Sequence, residues 1–86
     1  METKIAVMNI IVESVGSIET VSSLIHDYRQ YVIGRMGMPY RLKNICIISI
    51  ALEATKEIIA EISSKISGIE GAGVRTYYLG TLQKPE

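Results

Sequence analysis

The stretches Ile5 to Val12 (IAVMNIIV) and Cys46 to Leu52 (CIISIAL) are apolar at nearly every position. Successive side chains of a strand point to opposite faces of its sheet, so both stretches offer hydrocarbon front and back. A small two-layer domain has helices enough for one of those faces. If both helices pack on one side, either Ile5, Val7 and Ile11 or Ala6, Met8, Ile10 and Val12 point away from them. Either set is greasy, and a patch of that extent on a lone chain invites aggregation, which predicts a homo-oligomer.

Outward from the first strand, the chain turns near Glu13 through Ser14, Val15, Gly16 and Ser17, with Ser17 placed to cap a helix by accepting a backbone N–H. Val21, Leu24, Ile25 and Tyr28 then follow the i, i+3, i+4, i+7 pattern of one buried helix stripe. Gln30 to Tyr40 mixes β-formers with Gly34, Gly37 and Pro39, which suit an edge strand with a bulge. Arg41 to Asn44 is a polar turn before the second apolar strand, from about Ile45 to Leu52. Thr55 is placed to cap a second helix with an apolar face of Ile58, Ile59, Ile62 and Ile66 and a Glu61–Lys65 i, i+4 pair, closed by Gly68. Gly71 and Gly73 mark a loop, Val74 to Leu79 a last strand, and 81–86 a frayed tail ending near Pro85. The order βαββαβ predicts an α+β fold, a ferredoxin-like two-layer sandwich with a four-stranded antiparallel sheet and both helices on one side.

Composition sets bounds on function. The 86 residues make one domain near the size at which a single core only just outweighs chain entropy. Cys46 is the only cysteine, so no intrachain disulfide forms, and the expected location is the reducing cytoplasm. Hydrophobic residues are 48% of the chain, yet no run is long enough to cross a bilayer and no signal-peptide succession opens it. Nine basic and nine acidic residues cancel, which argues against direct nucleic-acid binding through a broad basic footprint. Between Tyr28 and Leu52, however, there is no Asp or Glu, while Arg29, Arg35, Arg41 and Lys43 all fall there.

Convergent catalytic groups are sparse. No phosphate-binding glycine loop, nucleophile elbow or paired-cysteine metal spacing is present. His26 lies roughly opposite the first helix stripe and is expected to face solvent or a neighbouring subunit. Cys46 opens an apolar strand and reads as a buried, inert thiol. Met8, Met36 and Met38 read as core or interface filling, and no metal or cofactor is expected.

One segment stands apart in composition. In GRMGMPY, Gly34 and Gly37 expose backbone amides, Arg35 offers a planar fork for a carboxylate or phosphate, and Tyr40 adds a stacking surface with a hydroxyl. These residues could line an anion pocket, or simply form a bulged edge strand with an outward arginine. Gly16 and Ser17, between a strand and a helix N-terminus, are a second candidate for anion contact or for capping alone.

GRMGMPY, preceded by Leu24, Ile25, His26, Asp27 and Tyr28 and followed by NICIISIAL and by Gly71 to Val74, resembles the family of iron-only hydrogenase system regulators. The likeness runs from Lys4 to about Leu79. It implies similarity to ACT domains and to the C-terminal domain of the nickel-responsive repressor, hence a ferredoxin-like fold, oligomeric assembly and small-ligand sensing. Where the ACT turn carries an acidic residue and Pro-Gly, this chain has Glu13, Ser14, Val15 and Gly16. A single histidine cannot reproduce the repressor's nickel site. With all 86 residues consumed by the sandwich, operator contact would need a partner protein.

The resulting expectation is a cytoplasmic, non-enzymatic, ACT-like regulatory homo-oligomer, dimer or tetramer, that binds a small anionic ligand. Gly34, Arg35, Gly37 and Tyr40 are its pocket, Gly16 and Ser17 its second site. The alternatives are a ligand-free oligomerisation or adaptor protein and, behind it, a small ferredoxin-fold enzyme using His26.

Overall fold

The computed structural model describes residues 2–79, and the tail expected at 81–86 lies outside the described residues. Strand β1 (Lys4–Val12) pairs antiparallel with β3 (Ile45–Ala54) on one side and β4 (Ala72–Tyr78) on the other. Strand β2 (Val32–Tyr40) completes the sheet at the far edge of β3, giving the order β2-β3-β1-β4. The two stretches that are apolar on both faces are therefore the two central strands, each paired with a neighbour on both sides. The glycine- and proline-bearing stretch takes an edge, as read from sequence.

Helix α1 (Ile18–Asp27) and helix α2 (Lys56–Ser67) cover one face. Against them lie Ala6, Met8, Ile10 and Val12 of β1 and Cys46, Ile48, Ile50, Leu52 and Ala54 of β3, all buried. The helices contribute Val21 and Ile25, and Ile59, Ile62 and Ile66, with Leu24, Tyr28 and Ile58 partly buried around them. Both stripes read from periodicity thus face the core, and the even-numbered set of β1 is the inward one. Among the described residues no helix is long and apolar enough to cross a membrane.

The helix ends bear out Thr55 and Gly68 as the residues that open and close α2 and correct one expectation. Thr55 caps α2 by accepting from the Ile58 N–H at 3.2 Å. Ser17 does not cap α1. A 3-10 turn at Val15–Ser17 precedes the helix, so Ser17 already has helical backbone angles (φ −94°, ψ −7°) and not the extended ones of a capping residue, and its hydroxyl donates to the Glu70 carbonyl at 2.8 Å. Gly68 follows α2 in ordinary right-handed conformation, with φ −79°.

The glycine that the backbone requires is Gly71, at φ +80°, whose carbonyl accepts from the Glu13 N–H at 2.7 Å. β4 starts directly after it, so Gly73 lies within the strand rather than in a loop, and the strand ends at Tyr78. The bulge in β2 falls between Val32 and Gly34, at the first of the two candidate glycines. Asn44 closes the Arg41–Lys43 turn with a left-handed φ of 56°, a conformation asparagine tolerates well.

Candidate functional site

The face of the sheet away from the helices carries the odd-numbered residues of β1 and β3, and among the described residues no layer lies over it. Register assigns its rows. Met38, Ile47, Ile11 and Gly73 lie across the sheet in one row, and Met36, Ser49, Asn9 and Arg75 in the next. Gly34, Ala51, Val7 and Tyr77 form the row beyond, while Tyr40 stands opposite Ile45 at the other end. Ile5, Ile11, Met36, Met38, Tyr40 and Tyr77 are 38–57% exposed on this face. For side chains of about 150–250 Å² each, that leaves about 500–600 Å² of largely apolar surface, near the upper limit for a stable monomer. Met36 and Met38, expected as core or interface filling, belong to this open face and not to the core.

At its centre the Ser49 hydroxyl donates to Asn9 Oδ1 at 2.9 Å. Sequence reading passed over this pair, although each is the one polar residue in its apolar stretch, IAVMNIIV or CIISIAL, and strand pairing places them side by side. Towards the β4 edge a groove of about 690 Å³ runs beside Asn9, Ile11, Glu13, Gly73, Arg75 and Tyr77. Its floor is low because Gly71 and Gly73 supply no side chains there.

The residues expected to form an anion pocket do not converge within one chain. Alternation along β2 sends Gly34 and Tyr40 to the open face, and Arg35 and Gly37 to the helix side. Arg35 Nη2 there donates to Ser22 Oγ of α1 at 3.0 Å, while the Tyr40 side chain is on the opposite side of the sheet. Gly16 sits in the 3-10 turn with open space around it, and the Ser17 hydroxyl is already engaged with Glu70.

Polar chemistry on the helix side gathers instead at Tyr28. Its hydroxyl donates to the Glu61 carboxylate and accepts from Lys65 Nζ at 2.8 Å, with Lys65 Nζ also 3.6 Å from Glu61 Oε2 and 5.2 Å from the Tyr28 ring centroid. The Tyr28 hydrogen bond, aided by the Lys65 charge, holds the Glu61 carboxyl below the usual carboxylate range. The same hydroxyl, and then Glu61, push Lys65 upward. His26 is exposed, and Cys46 is buried as expected. Among the described residues no group of three or more His, Cys, Asp or Glu side chains is placed to hold a metal ion.

Comparison with known proteins now decides the family. Residues 4–76 match the profile of the TM1266-like family, described as "Iron-only hydrogenase system regulator, putative". The chain belongs to this family. Among solved structures it is similar to the uncharacterized protein TM1266 from Thermotoga maritima, at 28% identity and TM-score 0.87 over 91% of this chain and 99% of that one. It also resembles in fold part of a formyltetrahydrofolate deformylase from Pseudomonas putida KT2440, at 13% identity and TM-score 0.59, covering 84% of this chain and 28% of the deformylase. No curated protein matches the sequence. Membership of the family and the match to TM1266 agree with the ferredoxin-like sandwich read from the sequence.

Proposed function

We propose that this member of the family is a cytoplasmic, ACT-like regulatory module that acts as a homo-oligomer, binds a small anionic ligand and transmits the change to a partner protein. The observation that carries this reading is the exposed, largely apolar face of a sheet whose other face packs its two central strands against its own helices. A second chain is the economical cover for it. Arg35 is the ligand-binding group, since among the described residues only one of its donors is engaged, by Ser22, and Gly37 leaves the same side of the strand beside it without a side chain. Its planar fork suits a carboxylate or phosphate. Gly16 and Ser17 form the second candidate contact, and Tyr40 serves the subunit interface rather than the same pocket.

A thermal-shift screen of carboxylates and phosphates against the purified protein tests the proposal. Arg35→Gln is expected to remove the stabilisation given by the best hit while leaving the assembly intact. Undiminished binding by that variant would exclude Arg35 as the anion contact. The Arg35–Ser22 hydrogen bond also fits a second reading, a ligand-free adaptor in which Arg35 ties β2 to α1. Absence of any hit together with loss of thermal stability in Arg35→Gln would favour that adaptor.

A further inference from the structure

We infer that the open face of the sheet is self-complementary about a two-fold axis running parallel to the strands between β1 and β3, and that its occupant is a second copy of this chain. The inference rests on the oligomeric reading above and adds the surface, the axis and the residues that set it.

The argument begins with glycines that the fold of one chain does not need. A Cβ added at Gly34 or Gly73 meets nothing within 4 Å, and neither residue has a left-handed φ. Each lies at an edge of the open face, Gly34 on β2 and Gly73 on β4. A two-fold axis along the strands lays β2 of one copy over β4 of the other and reverses every row. Met38 then stands over the partner's Gly73, and the partner's Tyr77 over Gly34. Large faces small at both ends of these two rows, as two sheets about 10 Å apart require if their side chains are to interdigitate, and in the row between them Met36 meets the partner's Arg75.

The centre matches by polarity. Ile47 meets the partner's Ile11, while Ser49 meets the partner's Asn9. The two Asn9–Ser49 pairs come together, and the Asn9 amide gains acceptors that it lacks among the described residues. A two-fold axis across the strands would instead lay each strand over its own copy. Set between rows it presses Asn9 onto the partner's Ile11 or Val7 and buries the amide against hydrocarbon, and set through the Asn9 row it stacks Arg75 on the partner's Arg75, and both are costly. Charge falls at the rim, with Arg75 on an edge strand and Glu53 at the end of β3. An apolar centre and a charged rim are the usual anatomy of such an interface.

The area is sufficient. About 500–600 Å² from the large exposed side chains, with half-buried Val7, Ile45, Ile47 and Ala51 between them, approaches the roughly 800 Å² per partner of a standard interface.

Sedimentation velocity over a dilution series of the intact chain, the Gly73→Leu variant and the Met38→Ala/Gly73→Leu double variant tests the axis. Gly73→Leu fits the isolated fold, as circular dichroism should report, but fills the notch under the partner's Met38. It is expected to weaken association at least about tenfold. The double variant exchanges large and small across the row and is expected to recover most of that loss. Association unchanged by Gly73→Leu, or not recovered by Met38→Ala, would overturn the axis while leaving the oligomeric reading in place. A wild-type chain that remains single at every concentration would overturn both.

Discussion

Gly71→Ala isolates the one backbone position on which the joining of β1 to β4 depends. At φ +80° an alanine pays about 1–2 kcal/mol for the left-handed conformation. Its Cβ would also lie 2.6 Å from Ser14 Cβ and 3.1 Å from Ser14 N, well inside the ~3.5–4.0 Å at which carbon contacts are favourable. No rotamer relieves this clash, because every atom concerned is backbone or Cβ. Backing away would stretch the 2.7 Å hydrogen bond from the Glu13 N–H to the Gly71 carbonyl, and such overpacking costs about another 1–3 kcal/mol. The total is about 2–5 kcal/mol, a large share of the roughly 4–13 kcal/mol available to a chain of this length. Urea unfolding followed by far-ultraviolet circular dichroism, at one fixed protein concentration so that association does not shift the midpoint, measures it. Gly37→Ala is the reference. Its added Cβ meets nothing within 4 Å, and that variant is expected to be neutral or up to about 1 kcal/mol more stable. In Ser14→Gly/Gly71→Ala the 2.6 Å Cβ–Cβ clash disappears while the conformational penalty and the 3.1 Å approach to the backbone N of residue 14 remain, so part of the loss should return. If Gly71→Ala unfolds within about 0.5 kcal/mol of Gly37→Ala, the reasoning from φ and close approach fails.

Two further outcomes follow from the two faces of the sheet and from the helix-side cluster. Ile10 and its neighbour Ile11 differ only in the face they occupy, so Ile10→Ala should cost about 2–5 kcal/mol by emptying a core site. Ile11→Ala should cost far less in fold stability and act mainly on self-association, and the same urea and sedimentation measurements separate the two effects. Tyr28→Phe removes the hydroxyl that joins Glu61 and Lys65, so carboxyl-carbon NMR titration should find the Glu61 pKa moving up toward the ordinary value. Because Glu61 is lowered in the folded chain, its contribution is present above the ordinary carboxylate pKa and is lost as the pH falls through the depressed one. Lys65 is raised, so its contribution is present below the ordinary lysine pKa and is lost as the pH rises through the elevated one. Wild type should therefore lose more stability than Tyr28→Phe at both extremes, and parallel pH profiles would contradict that.

The sequence by itself determined the element order, the two helix stripes, the Thr55 cap and the edge position of the glycine-rich strand. Each of these follows from short-range periodicity or local backbone chemistry, which is written into consecutive residues. It also showed that IAVMNIIV and CIISIAL supply hydrocarbon to both faces, but not which face the helices choose, because alternation is symmetric until packing breaks it. Only the tertiary structure decided that Ala6, Met8, Ile10 and Val12 go inward. The grouping of Gly34, Arg35, Gly37 and Tyr40 as one pocket came from proximity along the chain, whereas the strand's alternation sends Arg35 and Tyr40 to opposite sides of the sheet. The bond between Ser17 and Glu70 and the pairing of Asn9 with Ser49 join residues far apart in sequence, and their register is set by packing over the whole sheet. Local pattern fixes what each element is. Long-range register fixes which side chains meet.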